Sequence, residues 1–135
     1  VNNGSRWAAR ARFQEQEVCQ IARKERISDV RLCEAAKNAE QGQIDADYGG
    51  GVIKQRIARQ GEGTSGGNRS IILFRRGERA FFVYGFAKNE QANIDASDER
   101  DFKELAKVLL AASVDDLKKL VEQGEFVEVT CHEQG

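Results

Sequence analysis

Lys54 and Arg56 stand two residues apart in a run that otherwise reads as a strand (Ile53 to Ala58), so an extended backbone would set both cations on one face. They open a basic region. Between Gly51 and Asn93, eight basic side chains (Lys54, Arg56, Arg59, Arg69, Arg75, Arg76, Arg79 and Lys88) face three acidic ones (Glu62, Glu78 and Glu90), a net +5. The rest of the chain holds 13 basic against 19 acidic side chains, a net −6, so a nearly neutral total conceals a cationic patch. Such asymmetry, carried on strand-like residues and glycine, suits a polyanion, with phosphate the first candidate. Arg75, Arg76 and Arg79 gather around a hairpin, where they are either solvated turn residues or contacts to an RNA backbone.

Other chemistries are poorly supplied. The single histidine, His132, lies near the end of the sequence, and Cys19, Cys33 and Cys131 are widely spaced. A zinc site takes about four nitrogen or sulfur ligands at workable spacing, and nucleophilic triads need a histidine beside the nucleophile. The sequence therefore predicts buried, reduced thiols, no metal and no organic cofactor. No run approaches the ~20 apolar residues of a membrane-spanning helix, and no signal-peptide core is present. The expectation is a cytoplasmic protein.

The elements that must position the cations follow from periodicity. Val18, Ile21, Ala22 and Glu25 fall at helical spacing between Gln16 and Arg26. Ser28 is placed to cap a second helix with an apolar face of Leu32, Ala35, Ala36 and Ala39, ending near Gly42. Ile44 to Gly51 reads as a turn-rich connection. Three strands come next. In the first, Ile53, Gln55 and Ile57 oppose Lys54 and Arg56; the second runs from Arg69 to Arg75. The third, Ala80 to Phe86, is apolar on both faces and so central, with Tyr84 beside Phe82 and Phe86 by simple alternation. Gln60 to Asn68 is a Gly-rich loop. Ser97 is read as the cap of a helix carrying Phe102, Leu105, Ala106 and Leu109, and Ser113 as the cap of a short one closed by Gly124; Phe126 to Val129 adds a small strand. The fold class is α+β, a small antiparallel sheet flanked by N-terminal and C-terminal helices. One domain over residues 13–129 is expected, with a flexible basic arm at 1–12 and a tail at 130–135.

Four segments in this order resemble the RelE-like toxins of bacterial type II toxin–antitoxin pairs, within the RelE/ParE superfamily. They are ARKERIS (Ala22 to Ser28), GQIDADYGGGVIKQRIAR (Gly42 to Arg59), Ser-Gly-Gly-x-Arg (Ser65 to Arg69) and FFVYGFAKNEQANI (Phe81 to Ile94). The resemblance implies a metal-free endoribonuclease that cuts messenger RNA, ribosome-dependent, and silenced by a helix-turn-helix antitoxin from the adjacent gene. In such cleavage a 2′-hydroxyl attacks the neighbouring phosphate, so the site needs a base, cations and a proton donor.

Lys54, Arg56, Arg69 and Lys88 fall on basic positions of the family pattern, and the expected roles are Lys54 as base, Arg56 and Arg69 as phosphate clamps, and Tyr84 or Lys88 as proton donor, with Arg59, Arg75, Arg76 and Arg79 as RNA contacts. Tyr84 is equally a core aromatic by type. The chain departs from the pattern at Thr64, Asn68 and Gln91, where relatives carry Lys, Tyr and Arg. Those departures motivate a second expectation: a non-cleaving member that binds a protein, either a gyrase-type target or an antitoxin in a DNA repressor complex. Asp95, Asp98, Glu99 and Asp101 are read as first-turn charges favoured by the helix dipole, not catalytic carboxylates.

Overall fold

The computed structural model describes residues 11–15, 27–57, 68–87 and 94–129, with backbone alone at 11–15 and 87. The elements are β1 (Ala11–Glu15), α1 (Asp29–Glu40), β2 (Ala46–Gly49), β3 (Val52–Ile57), β4 (Asn68–Arg75), β5 (Arg79–Ala87), α2 (Ala96–Leu109), α3 (Val114–Glu122) and β6 (Phe126–Glu128). The sheet runs β2-β3-β4-β5-β1-β6. Its body, β2 to β5, is antiparallel; β1 joins β5 in parallel and pairs antiparallel with β6. The architecture is α+β, as expected, with helices on both sides of the sheet.

Each face has its own core. On one, α1 lays Leu32, Ala35, Ala36 and Ala39 over Ile53, Ile57, Ile72, Ala80 and Phe82. The alanines allow a close approach of helix to sheet, and Leu32 is the one large anchor, its burial contributing about 2 kcal/mol. On the other face, α2 and α3 bring Ala106, Leu109, Leu110 and Leu117 against Val52, Ile71, Leu73, Phe81 and Val83. Central strand β5 feeds both cores, which is why it is apolar on both sides.

Local signals explain most boundaries. Ser28 is the N-cap of α1 by position, though its hydroxyl makes no capping bond. Ser113 caps α3 through Oγ, which accepts from the Asp116 amide at 3.1 Å, and Gly124 follows at φ 79°. The cap of α2 is Asp95 rather than Ser97: its carboxylate accepts from the Asp98 amide at 2.8 Å, so the helix starts two residues earlier. A carboxylate at that place also meets the positive end of the helix.

Strands β1 and β2 carry no strand signal of their own. Ala11 and Arg12, the end of the segment read as an arm, pair with Arg79 and Ala80 of β5. Within the supposed connection, Ala46 and Asp47 pair with Lys54 and Ile53. Both strands are specified by neighbours already in place, not by composition. The β2–β3 turn uses Gly49, Gly50 and Gly51, all at positive φ. Gly51 is the demanding one: a Cβ there would lie 2.6 Å from Leu110 Cδ1. Cys33 on α1 is disulfide-bonded, correcting the expected reduced thiol, since sequence separation says nothing of which sulfurs meet. Cys19, Cys131, His132 and the helix expected over Gln16 to Arg26 lie outside the described residues.

Candidate functional site

Register places four expected site residues on one face of the sheet. Lys54 pairs with Ile71, and Ile71 with Tyr84; one row along, Arg56 pairs with Arg69, and Arg69 with Phe86. Directly paired residues share a face, so Lys54, Arg56, Arg69 and Tyr84 all lie on the side that α2 and α3 cover. A bulge makes this possible. Ile72 pairs with Phe82 and Ile71 with Tyr84, leaving Val83 as the extra residue of β5.

Without that extra residue, strict alternation would turn Tyr84 and Phe86 to the α1 side with Phe82, which is the grouping expected from sequence. Phe82 does pack under α1, whereas Tyr84 and Phe86 join the other core. Tyr84 is half-buried there, its ring 5.7 Å from Phe86 and 6.1 Å from Phe102 between centroids.

The cations converge on a carboxylate that sequence patterns do not single out. Asp45 lies 3.4 Å from Lys54 Nζ, 3.1 Å from Arg56 Nε and 3.6 Å from Arg69 Nε. The Asp45, Lys54 and Arg69 side chains are 14%, 12% and 6% exposed, while Arg56 is 50% exposed and faces solvent. Burial alone would raise the Asp45 pKa; the hydrogen bond from Arg56 and the charge of Lys54 outweigh it and hold the carboxyl below its ordinary value. Arg56 and Arg69 sit directly opposite each other, an arrangement that repels unless an anion sits between them. Asp45 supplies that anion.

Gln55 holds Asp45 in place. It is buried between Ile53 and Ile57, and its Nε2 donates to the carbonyls of Ala35 at 3.0 Å and Gln43 at 2.7 Å. Its Oε1 accepts from the Asp45 amide at 3.1 Å. One amide thus ties α1, the 41–45 loop and β3 together, with donor and acceptor capacity used. An amide at an inward position between two isoleucines was the available sequence signal. Tyr48, on β2, is the chain's second phenol beside Tyr84. Burial and the nearby Glu99 carboxylate push its pKa up, against a lowering by a hydrogen bond with the Ile94 backbone, so it stays neutral.

The remaining expected residues divide. Arg75 and Arg76 are exposed at the β4–β5 turn, Arg75 lying 3.8 Å from Glu78. Arg79, expected with them as an RNA contact, is only 9% exposed. Its Nη1 donates to the carbonyls of Leu109 at 3.0 Å and Ala112 at 2.8 Å. The Leu109 carbonyl lies at the end of α2, where the helix itself provides no donors and the dipole favours a cation, and the Ala112 carbonyl lies in the connection that follows. Arg79 is therefore taken off the exposed turn by a structural task. Arg59, Lys88, Thr64 and Gln91 lie outside the described residues, and Asn68 is buried. Among the described residues, no three His, Cys, Asp or Glu side chains gather as metal ligands, and no helix is long and apolar enough to cross a membrane.

The fold and site define an α+β protein with a carboxylate-organised cation cluster on one sheet face. The chain belongs to the RelE toxin family of RelE/RelB toxin–antitoxin systems, whose family profile matches residues 10–129. It is thus a toxin of a toxin–antitoxin system, and membership implies an antitoxin partner. Among curated proteins, none matches the chain.

Proposed function

We propose that this toxin is a metal-free endoribonuclease that cuts messenger RNA on the ribosome in the cytoplasm, and that a helix-turn-helix antitoxin from the adjacent gene silences it. The observation that carries the reading is the meeting of Lys54, Arg56 and Arg69 at one anionic group, Asp45. Side chains that hold a carboxylate are chemically suited to hold a phosphate. In this mechanism Arg56, the exposed member, engages the scissile phosphate first, and Arg69 shares the charge that grows on it. Lys54 takes the 2′-hydroxyl proton, and Tyr84 or Lys88 returns a proton to the departing 5′-oxygen. The attacking oxygen forms one phosphorus–oxygen bond as the 5′-bond breaks, leaving a cyclic phosphate.

The test is induced expression in a bacterial host with mapping of messenger RNA ends, wild type against Arg69→Ala, with and without the neighbouring gene. Growth arrest with new cuts in translated messages, absent in the variant and relieved by the neighbour, supports the proposal. A folded variant that retains full toxicity removes Arg69 from the mechanism.

A second reading has specific support. Lys54 and Arg69 are largely buried and already engaged with Asp45, and the buried Asn68 brings no phenol. These features favour a non-cleaving member that acts through protein contact, on a gyrase-type target or in an antitoxin–DNA complex. Arrest without any new RNA ends would decide for it.

A further inference from the structure

A cleft of about 350 Å³ opens at the edge of the sheet beside the cation cluster, lined by Asn38, Gln43, Ile44, Asp45, Gln55 and Arg56. It shares Asp45 and Arg56 with the cluster, so a ligand held there through phosphate reaches the cleft through the atoms attached to that phosphate. The volume falls in the range of small-molecule sites.

Its walls differ in kind. Gln55 spends its amide on the Ala35, Gln43 and Asp45 backbones and forms a fixed floor. Asn38, in the last turn of α1, and Gln43, in the loop after it, hold only through their backbones: the Asn38 carbonyl accepts from the Gln43 amide at 2.8 Å. Both residues line the cleft. Ile44 adds an apolar wall, and Arg56, half exposed, offers a planar guanidinium at the rim.

We propose that this cleft is a nucleobase-reading pocket: Asn38 and Gln43 hydrogen-bond the edge of the base next to the phosphate held by Arg56, and the Arg56 plane stacks on that base. The assignment rests on the RNA-cleaving reading and adds to it a residue-level basis for sequence preference. The chemistry fits because a side-chain amide carries a donor and an acceptor side by side, which matches the adjacent donor and acceptor on a base edge. Unstacked bases in single-stranded RNA present those edges and stack on arginine. Ile44 and the backbone-tied Gln55 close the cleft without competing for the base.

The test maps messenger RNA ends after induction of the full chain, comparing wild type with the Asn38→Ala/Gln43→Ala double variant. Asn38→Ala replaces a helix residue by the best helix former, and Gln43 is an exposed loop side chain, so the variant folds; thermal melting checks this. The expected result is cuts of wild type biased about 5-fold or more toward one base at a single position, the scale of discrimination that a bidentate base pairing provides. In the double variant that bias falls to within about 2-fold. Unchanged bias in the variant, or no bias in wild type, overturns the pocket while leaving cleavage standing. Absence of cuts from soluble wild type overturns cleavage and the pocket together. A variant that cuts less but keeps the wild-type bias also overturns it, because the residues then act on structure and not on reading.

Discussion

Strand β4 carries an arginine near each end, Arg69 and Arg75, and the two ends have opposite fates. At its start Arg69 faces Arg56 and, with Lys54, surrounds Asp45. At its finish Arg75 faces Arg79, but the pair does not act together: Arg75 stays in solvent near Glu78, while Arg79 turns inward to carbonyls at and just after the end of α2. Residue type, strand position and opposed pairing are the same in both places. The difference lies in the acceptor that the fold delivers. A loop carboxylate collects cations into a charged site that a phosphate resembles; backbone carbonyls consume one cation as a structural bond. Basic residues gather into a candidate site where their shared partner is a carboxylate, and become structural where it is a backbone carbonyl.

The largest expected contrast is in activity. Arg69→Ala should lower RNA cleavage by about 100-fold or more, the scale of losing one preorganised donor to developing charge. Arg79→Ala should leave cleavage per folded molecule near wild type. End mapping at matched levels of folded protein checks both, and equal losses from the two variants would erase the distinction between the ends. In stability the order reverses. Arg79→Ala strips two bonds from buried carbonyls and should cost about 1–3 kcal/mol in urea unfolding. Arg79→Lys keeps the charge, and both bonds come from the one Nη1, so an ammonium on the shorter stem should recover part of that loss.

How much of this contrast the sequence carried depends on the residue. Lys54, Arg56 and Arg69 were legible because alternation and motif order both single them out, and the helices because Leu32 to Ala39 and the Ser113 cap are local signals. Asp45 was not, since it sits in a Gly-rich stretch and gains its meaning only from a strand that lies beyond a turn. The side of Tyr84 was hidden for a similar reason: one extra residue at Val83 reverses the parity of everything after it, and no composition cue marks it. Arg79 looked like its turn neighbours because the carbonyls it serves lie 30 and 33 residues further along the chain. Strands β1 and β2 are borrowed from their partners in the same sense.

Asp45→Asn sharpens the comparison from the other side. It keeps the shape of the acceptor but removes the charge that reconciles Arg56 with Arg69. Because the folded-state pKa of Asp45 lies below its ordinary 3.8, its contribution to stability is fully present above that value and disappears as pH falls through the folded value. The wild type should thus be more stable than Asp45→Asn near neutrality, with the gap closing below about pH 4. Unfolding midpoints of the two proteins from pH 7 down to pH 3 would show it. A gap that is constant across that range would mean that Asp45 acts through packing and not through charge.

The smallest effect is the most discriminating for the turn. Arg75→Ala removes an exposed side chain whose ion pair with Glu78 spans 3.8 Å between half-exposed groups. Such pairs are screened by solvent, so folding stability should move by less than about 0.5 kcal/mol. If Arg75 touches ribosomal RNA, its removal should instead weaken association with ribosomes and flatten the dependence of that association on salt, because a protein that neutralises one phosphate fewer releases roughly one counterion fewer. Sedimentation of the toxin with ribosomes across a salt series separates the cases. A reduced slope would make the finish of β4 a binding surface after all, with Arg79 its structural support; an unchanged slope confines RNA recognition to the end where Asp45 gathers its cations.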